Sequence, residues 1–106
     1  MNDHPQAEIH WRGIHIGHLI DWVPDMWYLE GRWSPLSNPD ATAFTNRASQ
    51  LIVKTVYDDL TKGIRIQIRE NADADFTECV AISLDGSVLF LRRMVDREGT
   101  IANIPD

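Results

Sequence analysis

The chain is poor in the residues that announce a staple or a reaction. Cys79 is its one cysteine. No disulfide can therefore form within the chain, and a reducing, cytoplasmic setting is expected. No window approaches ~18 consecutive apolar residues, which argues against a membrane-spanning helix, and no basic segment followed by an apolar run marks a secretory leader. Basic residues are the minority. Ten Lys and Arg stand against sixteen Asp and Glu, a formal charge of −6. Nucleic acid is a disfavoured ligand for such a chain, because binding it rests on neutralising phosphates. The glycines are scattered, so no phosphate-cradling loop is visible, and neither H-E-x-x-H nor G-x-S-x-G occurs.

What is present is an ordinary globular composition. The chain has 106 residues, 43% of them apolar, which suits one domain over 1–106. Residues 1–8 are polar and carry Pro5 without periodicity, so they read as a loose N-terminal segment. The densest stretch is 21–35, which holds Trp22, Trp27 and Trp33, three of the four tryptophans. Upstream of it, Ile14, Ile16, His18, Ile20 and Trp22 alternate with His15, Gly17, Leu19 and Asp21, the pattern of a strand with one buried face. With Pro24-Asp25 as a turn, Trp22 faces Trp27, Ile20 faces Leu29, His18 faces Gly31 and Ile16 faces Trp33. That register places Trp22, Trp27, Leu29 and Trp33 in the core. Asp21, Tyr28, Glu30 and Arg32 then lie on the opposite side.

Asn38-Pro39-Asp40 reads as a helix start: a capping amide, a proline suited to the first turn and an acid at the positive end of the dipole. Phe44, Ala48, Leu51, Ile52 and Thr55 follow at helical spacing, and Lys62-Gly63 is a stop. One helix over 39–61 is expected. The β-branched run through residues 50–57 leaves a strand after a shorter helix as the alternative. Ile64, Ile66 and Ile68 mark a strand, Phe76 to Leu84 another, and Ser87 to Arg93 a third after an Asp85-Gly86 turn. In that register Val80 and Ile82 face the core, and Glu78 pairs with Arg93. Ile101 and Ile104 suggest a short edge strand. The fold expected is α+β: an antiparallel sheet of about five strands, β-β-α-β-β-β, with one main helix packed on a face.

No catalytic constellation emerges. His10, His15 and His18 with Asp21 and Asp25 invite a metal, but on a regular strand His15 and His18 point to opposite faces. Neither a metal nor another cofactor is therefore expected. Two surfaces stand out as tentative binding sites. One is His15, Asp21, Tyr28, Glu30 and Arg32, an interface-like mixture of tyrosine and charge. The other is Arg65, Arg69 and Arg92 beside Phe90, on a half-apolar sheet face that something should cover. The composition favours a small acidic interaction module that acts by protein–protein contact, with a homodimer among the assemblies. The alternative is a small-ligand protein or enzyme with a pocket near His15, Asp21, Asp25 and Tyr28. Whether the chain is an enzyme is left open, leaning towards no.

Overall fold

A computed structural model of the protein describes residues 6–94. Six strands, β1 (Gln6–Trp11), β2 (Ile14–Asp25), β3 (Tyr28–Pro35), β4 (Ile64–Arg69), β5 (Thr77–Asp85) and β6 (Val88–Arg93), form a closed antiparallel barrel in the order β1-β2-β3-β6-β5-β4. The open five-stranded α+β sheet expected from the sequence is therefore wrong. The missing strand is β1, whose first three residues overlap the N-terminal segment expected to be loose. Ala7, Ile9 and Trp11 point inward and are buried. Glu8↔Arg69, Ile9↔Ile68 and His10↔Gln67 join β1 to β4 and remove the last sheet edge.

Three bulges set which side chains face out. In the β1–β2 ladder Ile9 is opposite Gly17 but His10 is opposite His15, so Ile16 is an extra residue. In the β2–β3 ladder Ile20 is opposite Arg32 and Val23 opposite Glu30, with Asp21 and Trp22 set against Gly31. Asp21 carries φ +56° at that step. In the β5–β6 ladder Ile82 is extra. Each bulge switches the alternation of its strand. As a result Ile16 and Leu19 are buried at a spacing of three, and Trp22 packs against the same core.

The hairpin register differs accordingly. The turn lies at Met26-Trp27, with Asp25 opposite Tyr28 and Leu19 opposite Trp33. Met26 takes φ +58°, the left-handed conformation that tight hairpin turns need. Leu29 and Trp33 are buried, as expected, and Trp22 is partly so, but Trp27 is 47% exposed at the tip. Its expected core role is corrected.

One continuous helix over 39–61 is also corrected. Helix α1 (Pro39–Ala48) begins as the sequence suggests, with the Asn38 side chain accepting from the Ala41 amide at 2.7 Å. It ends at Ala48. Ile52 is extended (φ −108°, ψ 116°), and a short α2 (Val53–Asp58) and a 3-10 turn (Leu60–Lys62) follow. The break has a packing reason. Ala41, Phe44 and Ala48 belong to the barrel core, where Phe44 meets Trp33 and Trp11 at ring separations of 5.3 and 5.8 Å. Trp33 Nε1 also donates to Thr45 Oγ1 at 2.9 Å. Val56 instead belongs to a second core with Val80, Ile82 and Met94, built on the outside of the barrel. One straight helix of that length cannot serve both. At Gly63 a β-carbon would lie 2.4 Å from Val80 and 2.6 Å from the Ala81 carbonyl, so the chain passes here only because the residue is glycine.

The C-terminal registers shift as well. Ile64 is opposite Ala81 and Ile66 opposite Cys79, and the β5–β6 turn is Gly86-Ser87, between the paired Asp85 and Val88. Cys79 and Ala81 therefore face the barrel interior, while Val80 and Ile82 face out under α2. Both sides of β5 are buried, by the barrel on one side and α2 on the other. The anticipated Glu78–Arg93 pair is absent from this register: Glu78 instead takes Arg65 Nε at 3.0 Å and Gln67 Nε2 at 3.1 Å. Among the described residues no helix is long and apolar enough to cross a membrane. Ile101 and Ile104 lie outside them.

Candidate functional site

The barrel presents two outward faces with distinct chemistry. The first lies where β2 curls over β3 and β6. Its bulge turns Asp21 outward beside Ile20, and the strand runs on through Val23, Pro24 and Asp25 before the turn. Together with Tyr28, Glu30 and Arg32 of β3 and Val88 and Phe90 of β6, these residues line an open groove of about 570 Å³. Tyr28 stacks on Phe90 (5.3 Å, 6°), and Tyr57 of α2 meets both rings edge-on at 5.8 and 6.1 Å. The aromatic set is continuous with the outer core, which also includes Tyr28 and Phe90. Burial, then the charge of Tyr28, pushes the Tyr57 hydroxyl pKa above its usual value. The polar groups of the groove are Asp21, Asp25, Glu30 and Arg32, and Arg32 lies 3.6 Å from Asp21. The solvent-facing tip beyond it is apolar: Met26 is 77% exposed and Trp27 47%.

The second face belongs to β1, β2 and β4. The Ile16 bulge places His15 and His18 on the same side, and their rings meet edge-on at 4.9 Å. The expectation of opposite faces assumed an unbroken alternation and is corrected. His10 stacks flat on His15 at 4.8 Å and 9°, and Phe76 stands edge-on to His10 at 4.8 Å. Glu8 Oε1 takes His10 Nε2 at 3.0 Å and Arg69 Nε at 3.1 Å. The guanidinium also lies 4.6 Å over the Phe76 ring and reaches the Ala72 carbonyl at 3.3 Å. The hydrogen bond from His10 holds the Glu8 carboxyl below its usual range; burial opposes it, and the Arg69 bond and charge add to the lowering. Burial, reinforced by neighbouring His15, lowers the His18 pKa.

The structure thus divides the residues singled out in the sequence. Asp21, Tyr28, Glu30 and Arg32 share the groove. His15 does not line it; with Arg69 it belongs to the histidine face. The constellation of His15, Asp21, Asp25 and Tyr28 is therefore not one pocket. Arg65 and Arg92 both lie opposite Val80 in the ladders, on the flank covered by α2, and Arg65 is engaged by Glu78. Arg69 stands apart from them, so the three arginines do not form one anion site. Glu8, Phe76 and Met26 were missed. The inward alternation of Ala7, Ile9 and Trp11 was the signal that could have placed Glu8 and His10 on a strand. Cys79 lies inside the barrel, where burial pushes its thiol up to about 12, the condition of an inert structural cysteine. No known protein family matches the chain, and no curated protein or solved structure is similar to it.

Proposed function

We propose that the protein is a small docking module whose groove between β2, β3 and β6 receives a basic segment of a partner protein. The observation that carries this reading is the composition of the groove. Its walls are Ile20, Val23, Pro24, Tyr28, Val88 and Phe90, and its charged groups are three carboxylates and one arginine. Such a site buries an aromatic or branched side chain of the partner and offers carboxylates to flanking Lys or Arg. The exposed Met26 and Trp27 at the adjoining tip extend the apolar contact. The same carboxylates disfavour pairing this face with a second copy of a chain of net charge −6. The partner is therefore a different protein.

The groove volume also lies within the ~300–1,000 Å³ of small-molecule sites, so a small amphipathic cation is the second reading. Selection of peptides from a random display library against the wild-type protein tests the first. Peptides that combine an aromatic or branched residue with flanking Lys or Arg should be enriched. Their affinity should fall at least about tenfold for Glu30→Arg and for Phe90→Asp. Enriched peptides without basic residues, or peptides that bind both variants as well as the wild type, would overturn the docking reading.

A further inference from the structure

We infer that the histidine face is a binding site for a divalent transition-metal ion, with Glu8, His10 and His15 as its ligands. One donor atom from each lies within 4.8 Å of the others. Two imidazoles and a carboxylate are an ordinary donor set for zinc and its first-row neighbours, with the remaining position left to water. Around a tetrahedral ion with bonds of ~2.0–2.1 Å, donors sit roughly 3.3 Å apart. Glu8 Oε1 and His10 Nε2 are already 3.0 Å apart. Side-chain adjustment within the set closes the rest.

The surroundings orient the set. His15 Nε2 donates to the Gly17 carbonyl at 3.1 Å, since a carbonyl can only accept. That bond assigns the proton to Nε2 and the lone pair to Nδ1, and it fixes the ring as partners beyond the ligands of a metal site do. The backbone is constrained where the bulge is made. At Gly17 a β-carbon would lie 2.5 Å from the Ser34 carbonyl and 2.6 Å from the Trp33 ring, so the turn of β2 that brings His15 round is built into the packing. The opposing group is Arg69, a cation on the Glu8 carboxylate. It has other partners at hand in the Ala72 carbonyl and the Phe76 ring, so it can yield the oxygen without leaving the site. His18 touches His15 but is not among the three donors.

Calorimetric titration of the full chain with Zn²⁺ near neutral pH tests the site. One ion should bind per chain. His10→Ala and His15→Ala, each verified as folded by circular dichroism, should weaken binding by at least about 10–100-fold. His10→Gln and His15→Gln replace either variant that does not fold. His18→Ala should leave the affinity largely unchanged. Arg69→Gln, which removes the competing cation, should tighten it about threefold. The inference is overturned by no saturable binding up to about 1 mM Zn²⁺, where a true site would already raise the melting temperature. It is equally overturned if the His10 and His15 variants bind like the wild type. The docking reading stands or falls separately, since none of these substitutions touches the groove.

Discussion

The two outward faces of this barrel are made by the same device and end in opposite chemistry. A bulge at Ile16 turns His15 and His18 to one side, and a second at Asp21-Trp22 curls β2 over β3. On the first face, short polar contacts hold the side chains: Glu8 with His10 and Arg69, and three imidazoles in ring contact. On the second, aromatic packing holds them, through Tyr28, Phe90 and Tyr57 over a small apolar core. The difference teaches that the barrel interior fixes the backbone, while each exterior face is stabilised by its own contacts. The two faces should therefore be separable by mutation and by pH.

The largest effect is expected from Val56→Ala. Val56 is 1% exposed, and its side chain joins α2 to Val80 and Ile82. Removing two buried carbons at ~0.8 kcal/mol each, with a small cavity term, should cost about 2 kcal/mol in urea unfolding. The loss should come with weaker near-ultraviolet dichroism from the Tyr28–Tyr57–Phe90 set. The histidine ring contacts, read from imidazole proton shifts, should be unmoved. If both faces change together, the exterior is one cooperative unit and the contrast fails.

This division explains how much was legible beforehand. The start of α1 was readable because Asn38, Pro39 and Asp40 act locally. Strands β4 to β6 were located to within a residue or two by alternation and turn residues. Their registers were not, because a slip of one residue exchanges two faces that are both apolar. Cys79 and Ala81 fill the barrel, while Val80 and Ile82 fill the core under α2. An unbroken alternation does not hold in β2, because bulges space Ile16, Leu19 and Trp22 by three. Closure of the barrel depended on β1, six residues whose inward set is only Ala7, Ile9 and Trp11. Asp21, Tyr28, Glu30 and Arg32 line one groove, while His15, placed with them from the sequence, does not; the four face outward in either register.

The faces should also part company in pH, by smaller amounts. His18 has a pKa lowered from 6.5 by burial and by His15. The unfolded chain then takes up this proton first. Stability from His18 is complete above about pH 6.5 and is lost as pH falls through the lower folded value. The depressed Glu8 adds a second loss that begins only below its ordinary 4.5. Tyr57 has the reverse sign. Its pKa is raised from 10.0, so its contribution is complete below pH 10 and is lost as pH rises through the folded value. Urea midpoints between pH 7 and 5 should decline less in His18→Gln than in the wild type. Midpoints above pH 10 should decline less in Tyr57→Phe. A His18→Gln variant with the wild-type acid slope would show that the histidine face does not govern acid stability.

The smallest effect in stability is expected at Trp27, and it carries the most about the groove. A tryptophan in this dense stretch looks like core, and Trp33 is 6% exposed, but Trp27 is 47% exposed on the tip of the β2–β3 hairpin. Its backbone carbonyl takes the Arg93 amide at 2.6 Å, and the Met26 carbonyl takes the Arg93 guanidinium. The tip is thus held by main-chain groups, which Trp27→Ala retains. The substitution should change the unfolding free energy by no more than about 0.5 kcal/mol, the range of ordinary surface changes. Binding of a groove-directed peptide should nevertheless weaken, because an exposed aromatic beside an apolar groove contributes mainly when a partner covers it. A loss of ~3 kcal/mol or more would place the indole in the core and return the hairpin to the register with its turn at Pro24-Asp25. A variant with unchanged stability and unchanged peptide affinity would instead confine the docking surface to the groove and leave the tip outside it.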